Sequence, residues 1–441
     1  MNPFLPLNEY VPDGEPHLFE GRVYLYGSHD RADGTSYCEE DYVCYSCPED
    51  DLNDWRYEGV MYRKKDDPDN RDGLHKLYAP DVVFFKDRYW LYYFIESVDK
   101  IAVAVSDKPQ GPFTYYGDVC YPQGMDKHTL PHYPSSFDPA ILNDEGHLYL
   151  SYGFSIEGNI PGMDLNEQNT MGGYVVELEE DMLTMKSAPK LVVPGFGHGK
   201  DTSFEGHEFL EASSLKHFGD TYYFIYSSQN QHELCYATSR YPDKDFEYQG
   251  ILISNSDKYK ADDIYRTNWA NNHGSVIKIK DEYYIFYHRH TYGKQYSRQA
   301  CFEKITFING LFEPAVPTSG NIHDLNEGII EAARACLLYD NDTGVFIPFS
   351  DVSMNAAYIK GNEVVNITNS TVIYRYLSDI DSITFYMDKE ATGTVRFKDQ
   401  VKPLTEKITF TMDPLNHEEV MFIFDSDEPV ILKKLVLKKE K

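Results

Sequence analysis

Four times in this chain a polar, titratable side chain stands eight residues ahead of the same tight turn. Asp13 precedes Gly21, Asp138 precedes Gly146, Glu211 precedes Gly219 and His273 precedes Asp281. Each turn runs into an aromatic strand: Val23-Tyr-Leu-Tyr26, Leu148-Tyr-Leu150, Tyr222-Tyr-Phe-Ile-Tyr226 and Tyr283-Tyr-Ile-Phe-Tyr287. A fifth copy, Ala79-Pro-Asp81 through Asp87, leads into Tyr89-Trp-Leu-Tyr92, with its acid two residues later. On a strand that is the same face, one step further along. Equivalent positions in radially repeated units point at a common axis, so the repeat predicts a fold and a site together.

The turns fall near residues 21, 87, 146, 219 and 281. These intervals hold a four-stranded antiparallel blade with its loops, which predicts a five-bladed β-propeller over residues 1–322. Further strands read as Ile101-Ala-Val-Ala-Val105, Gly173-Tyr-Val-Val-Glu-Leu178 and Leu234-Cys-Tyr-Ala-Thr238. No long helical period interrupts them. After Gly320 the repeat stops at a polar stretch, Asn321 to Gly328. About eight short alternating strands follow, predicting a C-terminal β-sandwich over 323–441 and an all-β chain.

A formal charge of −30 excludes the basic face that nucleic acid or an anionic membrane requires, and leaves a neutral substrate indifferent. The 37 tyrosines and 25 phenylalanines suit strands and surfaces that stack on sugar rings. The N-terminal residues carry no basic, apolar signal pattern, and no stretch approaches transmembrane length. Seven cysteines without a repeating pattern predict free thiols and a cytoplasmic location. Cys44-x-x-Cys47 sits in an alternating strand with no second ligand pair, so it reads as core rather than metal site.

Three carboxylates converging on an axial pocket are what glycoside hydrolysis uses. A protonated acid serves the leaving oxygen, an ionised one activates water at the anomeric carbon, and a third orients the donor and raises its pKa. On spacing alone, a propeller that binds a ligand or metal without chemistry accounts for the pattern equally well.

In order and spacing, the motifs along residues 8–320 resemble those of glycoside hydrolase family 43, the five-bladed β-xylosidases, α-L-arabinofuranosidases and arabinanases. They are Asp13-x-x-Pro16 with Phe19 to Tyr26, Asp51-Leu-Asn-Asp-Trp55, Tyr78-Ala-Pro-Asp-Val82, Gly111-Pro-Phe113, Phe137-Asp-Pro139, Phe209-Leu-Glu-Ala-Ser213, His273-Gly-Ser-Val276 and Ser297-Arg298. The resemblance implies Asp13 as general base, Glu211 as general acid and Asp138 as its pKa modulator. It further implies that Arg298 reaches the first-subsite sugar, and that the axial His273 bonds a carboxylate or helps hold a calcium ion through water. No cofactor is otherwise required. Tyr78, Trp269 and His207 are candidate sugar-contacting residues, each of which core packing also explains. Two departures stand out: Gly14 where the family has proline, and Glu211-Ala-Ser where Glu-Gly-Pro is commoner, with Glu205 and Glu208 nearby.

The function expected is inverting, exo-acting hydrolysis of xylo- or arabino-oligosaccharides. A non-catalytic sugar-binding propeller and an endo-acting arabinanase are the alternatives, and a homo-oligomer is left open. The C-terminal part resembles, more faintly, family 6-type carbohydrate-binding modules. It lacks an evident exposed aromatic pair, so a packing role against a blade is expected.

Overall fold

The computed structural model describes residues 1–157, 165–255, 257–258, 265–266, 271–292, 295–320, 328–342, 357–378, 380–412 and 416–439. Among these, four antiparallel meanders form the first four blades. They are β1–β4 (Glu15–Phe19, Arg22–Tyr26, Tyr42–Pro48, Arg56–Tyr62), β5–β8 (Leu77–Phe85, Arg88–Ile95, Val98–Ser106, Thr114–Asp118), β9–β12 (Ala140–Asp144, His147–Tyr152, Gly172–Leu178, Lys190–Pro194) and β13–β16 (Phe209–Phe218, Thr221–Ser228, Glu233–Ser239, Glu247–Ser254). After the short pair β17 (Asp257–Lys258) and β18 (Tyr265–Arg266), the fifth blade is β19–β21 (Val276–Ile279, Glu282–His290, Arg298–Ile305).

All five inner hairpins have two-residue turns, which explains the constant spacing in the sequence. At Glu20-Gly21, Lys86-Asp87 and Glu145-Gly146 both central residues have positive φ, the conformation whose twist matches the flanking strands. The inner strands of neighbouring blades meet around the axis. Blade five closes on blade one through a parallel bridge between Gly14 and Gly274. Gly274 is required there, because a Cβ would lie 1.9 Å from the Phe286 carbonyl oxygen.

The fifth blade departs from the four strands expected: it has three among the described residues. The free edge of β21 is covered instead by the N-terminal segment. Phe4 N–H donates to Ala300 O at 3.3 Å, and the Asn2 side chain both donates to Phe302 O and accepts from Phe302 N–H.

Past the minor hairpin β22–β23 (Phe307–Ile308, Leu311–Phe312), the chain forms two stacked sheets. One runs β26-β27-β34-β29-β32 (Tyr358–Lys360, Glu363–Ile367, Val430–Lys438, Ser382–Met387, Lys407–Thr411), with β24 (Ile329–Glu331) on β34. The other runs β25-β28-β33-β30-β31 (Leu337–Asp340, Ser370–Ser378, Asn416–Phe424, Gly393–Phe397, Gln400–Pro403). Alternate residues of both, including Val372, Tyr374, Phe385, Phe410, Phe422 and Leu435, interdigitate as one apolar core. This sandwich packs on blade five. Buried Arg289 donates to the carbonyls of Ala335 and Cys336, and Ile359 N–H donates to Thr291 O. The expected boundary at 322/323 lies outside the described residues.

Cys44 and Cys47 are buried on opposite sides of β3, in separate apolar clusters, and so do not form a ligand pair. All seven cysteines are free thiols.

Candidate active site

The acids sit where each inner strand begins, on backbone bent for the purpose. Asp13 and Asp138 have φ of 59° and 48°, and Ala79, which holds the corresponding place in blade two, has 23°. Asp tolerates this left-handed region better than most residues, because its short side chain can bond locally. In blade four the bend falls at Ala212 (φ 65°), inside a stretch where β13 slips register against β14 on both sides of Glu211. Such a bulge re-aims a side chain, and it brings Glu211 beside Asp138. The Asp138 Oδ2 accepts from Ala212 N–H at 3.0 Å, and the Asp138 carbonyl accepts from the Ser213 hydroxyl at 3.0 Å.

His273 bridges two of the acids. Its Nδ1 lies 3.4 Å from Asp138 Oδ2 and 3.9 Å from Asp13 Oδ1. Burial alone would lower its pKa, but the carboxylates of Asp138 and Asp13 reverse that and push it up to about 9.

Asp13 is held ionised. Burial would raise its pKa, yet Arg298, with His273 beside it, carries it far below the usual carboxylate range. Arg298 Nη1 donates to Asp13 Oδ1 at 2.8 Å. The guanidinium is fixed by Asp30, with Nε on Oδ2 at 2.8 Å and Nη2 on Oδ1 at 3.0 Å, and it stacks on Tyr37. Such a planar fork bonds two carboxylates at once with little loss of freedom. His288 donates from Nε2 to Asn271 O at 2.7 Å, which turns Nδ1 toward Asp13, whose N–H donates to it.

Glu211 is held protonated. Burial, then the neighbouring Asp138 charge, push its pKa up to about 8, with a smaller push from Asp13, against the opposing pull of His273 and Arg298. The dry side of the pocket is a wall of Phe94, Phe137, Phe154, Leu165 and Leu210, two of them chain neighbours of Asp138 and Glu211. Tyr78 packs on that wall against Phe94 and Phe137. Beside it opens a cleft of about 780 Å³, lined among others by His132, Ile156, Gln168, Phe196 and His198. His207 stacks on Tyr248 at 4.7 Å and bonds Glu233. Trp269 lies outside the described residues.

One level below the acids the axis is again charged. Lys216 Nζ donates to Glu15 Oε2 at 3.0 Å, His17 Nε2 lies 2.6 Å from Asp81 Oδ1, and Asp81 Oδ2 accepts from Ile141 N–H at 2.7 Å. The Ser214 and Ser275 hydroxyls bond each other across blades four and five. Calcium takes six to eight oxygen ligands. Although Glu15 Oε1 is buried without a partner, the Glu15–His17–Asp81 group supplies two carboxylates, one already bonded to its histidine, and a lysine ammonium that already brings the positive charge. His273 lies against the carboxylates of Asp138 and Asp13, which already engage its ring at 3.4 and 3.9 Å. The donor set therefore does not fit an axial calcium ion.

Asp30, His288 and Lys216 were not anticipated from the sequence. Asp30 comes from the loop between β2 and β3, outside the repeat. Lys216 has the wrong parity relative to Glu211 unless the bulge at Ala212 is counted.

A five-bladed propeller whose axial pocket holds one ionised and one protonated carboxylate defines a class, the glycoside hydrolases. The family model for glycosyl hydrolases family 43 matches residues 14–312. The chain belongs to that family and is a glycosidase. It is 45% identical over 369 residues, 82% of this chain and 76% of the relative, to a xylosidase/arabinosidase of Thermoclostridium stercorarium. A xylosidase/arabinosidase of Bacteroides ovatus is 28% identical over 65% of this chain and 87% of its own length. Among solved structures, a β-xylosidase/α-arabinofuranosidase from a compost microbial metagenome, in complex with xylotriose in a calcium-free form, superposes with TM-score 0.55 at 25% identity, covering 72% of this chain and 97% of that one. An arabinoxylan arabinofuranohydrolase of Bacillus subtilis shares the fold over 100% of this chain and 97% of its own, with TM-score 0.51 at 19% identity.

Proposed function

We propose that the protein removes terminal xylosyl or arabinofuranosyl units from short oligosaccharides by inversion, with Asp13 as general base and Glu211 as general acid. The observation that carries this reading is the contrasting setting of two buried carboxylates in one pocket. Arg298 Nη1 bonds Asp13 at 2.8 Å, while Glu211 stands beside the Asp138 carboxylate, which bonds the next residue's N–H at 3.0 Å. Asp13 is kept ionised by Arg298, and Glu211 is kept protonated by burial beside Asp138. Inversion needs that division: Glu211 gives its proton to the leaving oxygen while Asp13 takes one from the water that attacks the anomeric carbon. Asp138 holds Glu211's strand through Ala212 N–H and keeps the acid protonated. Arg298 serves the reaction through Asp13, which it orients and holds charged.

The pentose assignment rests on the names of the relatives, which pair xylosidase with arabinosidase. Exo action on imported oligosaccharides in the cytoplasm fits the seven free thiols and the buried site, with the cleft beside Phe154 and Leu165 as room for the rest of the chain. Lys216 and His273 supply the axis with positive charge, so no calcium enters this reading.

NMR of the sugar first released from aryl β-xyloside and aryl α-arabinofuranoside tests the proposal. Release of the opposite anomer is expected. A retained anomer would overturn inversion, and failure to cleave either substrate would overturn the pentose assignment.

A further inference from the structure

Away from the axis, blade four carries a second cluster of chemistry-bearing side chains. Glu233 and Cys235 stand two apart on one face of β15, and His207 reaches them from the loop before β13. The ligand atoms of the three lie within 4.8 Å of one another. His207 Nδ1 is 2.7 Å from Glu233 Oε1, and Cys235 Sγ is 3.5 Å from that oxygen and 4.0 Å from Nδ1. In a tetrahedral zinc site with bonds of about 2.0–2.3 Å, neighbouring ligand atoms stand about 3.3–3.7 Å apart. Shifts of about half an ångström would bring all three pairs to that spacing.

The protein's own bonds leave the cluster unbalanced. Glu233 Oε1 accepts from His207, from the Ser228 hydroxyl at 2.5 Å and from Asn230 Nδ2 at 2.9 Å, and the thiol adjoins it as well. Glu233 Oε2 is buried with no partner, on a side chain that is fully buried. At Oε2 the carboxylate therefore keeps a strong acceptor with no donor or cation. Access comes through His207, whose side chain is 30% exposed. The ring is held for ligation by stacking on Tyr248 within 10° of parallel, and the backbone behind it by the bond from the Tyr226 hydroxyl to His207 O.

We propose that His207, Glu233 and Cys235 form a binding site for a borderline-soft divalent cation of the zinc class. One nitrogen, one oxygen and one sulfur donor select such an ion over calcium or magnesium, which take oxygen. Binding replaces the thiol proton and any proton on His207 Nδ1, and both leave to solvent, so affinity rises with pH. A water completes the fourth position. The site is separate from the catalytic pair, although His207 lies four residues ahead of Glu211.

Cobalt(II) is the probe, because a thiolate ligand gives it a near-ultraviolet charge-transfer band. After a chelator wash, the full-length protein is expected to take up one equivalent of Co²⁺ with that band, and Zn²⁺ is expected to displace it. Cys235→Ser should abolish the band, and His207→Gln should weaken Zn²⁺ binding by about 10- to 100-fold or more. Cys120→Ser, which removes the exposed thiol, should change neither. No charge-transfer band in the wild-type protein, or one that survives Cys235→Ser, overturns the proposal. Should Cys235→Ser fail to fold, alkylation of the wild-type protein followed by peptide mass mapping gives the same decision. The alkylation is done at a denaturant concentration that opens the native state only transiently, where free Cys235 reacts slowly. Zn²⁺ is expected to slow its labelling further, and a labelling rate unchanged by Zn²⁺ overturns the site.

Discussion

The propeller axis and the sandwich core are both buried, but they are filled with opposite materials. The sandwich core is aliphatic and aromatic, from Val372 and Tyr374 to Phe422 and Leu437, and the buried polar residues of its described part are Ser370, Thr371 and Glu418. The axis is filled with Asp13, Glu15, Asp81, Asp138, Glu211, His273 and Arg298, with Asp13 and Asp138 on backbone in sparsely populated φ. Apolar burial stabilises in proportion to area, whereas buried charge costs free energy unless it is paired. The difference teaches where function can sit. The sandwich contributes stability and a dock for blade five, and its exposed large apolar residues, Ile329 and Val401 among those described, include no aromatic for a sugar. The axis holds one carboxyl group, that of Glu211, protonated at a pH where water would leave it ionised.

The comparison breaks most sharply at Asp13. Asp13→Asn keeps a side chain that tolerates its φ but removes the base, and kcat should fall by about 10³- to 10⁴-fold on every substrate. A loss below tenfold in steady-state assays would remove Asp13 from the mechanism.

Glu211→Ala should cost about 10²- to 10⁴-fold on substrates with poor leaving groups and far less on activated aryl glycosides, which need no proton. Equal losses on both would move the acid to Glu205 or Glu208. The raised pKa also predicts a stability effect. Wild-type folding loses stability as pH rises from the ordinary glutamate value of 4.5 toward about 8, because only the unfolded state can ionise. Glu211→Gln should therefore raise Tm by a few degrees above pH 8 and by almost nothing near pH 4. Thermal scans at the two pH values check this, and a Tm gain independent of pH would contradict it.

Lys216→Met and Phe385→Ala set the two regions directly against each other. The first leaves Glu15 and Asp81 without their ammonium, the second opens a cavity, and each should cost about 3–5 kcal/mol in denaturant unfolding. Only Lys216→Met should also change kcat/KM in the fraction that remains folded. An activity loss of the same size in Phe385→Ala would mean that the sandwich tunes the site.

The smallest effect expected is at Asp138. Its negative charge disfavours ionisation of Glu211, so Asp138→Asn should move the alkaline limb of the pH–rate profile from about 8 toward lower pH, by about one unit. An unmoved limb with activity kept would make Asp138 a structural residue.

Much of this was legible in the residues because hairpins with two-residue turns cannot hide. The turn needs particular residues at a fixed offset, and the offset carries Asp13, Asp138, Glu211 and His273 with it. What stayed illegible came from outside the repeat or from a break in parity. Asp30 arrives on a connecting loop, and no periodicity marks it. Lys216 faces the axis only because the bulge at Ala212 shifts the count by one. Arg298 was visible as a residue but not as a contact, since its bonds to Asp13 and Asp30 are made across the ring closure. The three-stranded form of the fifth blade among the described residues was hidden for a related reason, because residues at the far end of the chain cover the edge of β21.

The Asp13–Arg298 bond joins positions 285 residues apart. During synthesis the base therefore appears early and waits, through the making of four blades, for the cation that will hold it ionised. A ribosome-bound chain ending anywhere before blade five can contain formed hairpins, each built from local contacts. It cannot contain a charged base in a dry pocket. Catalytic competence is thus acquired late and in a single step, when the ring shuts.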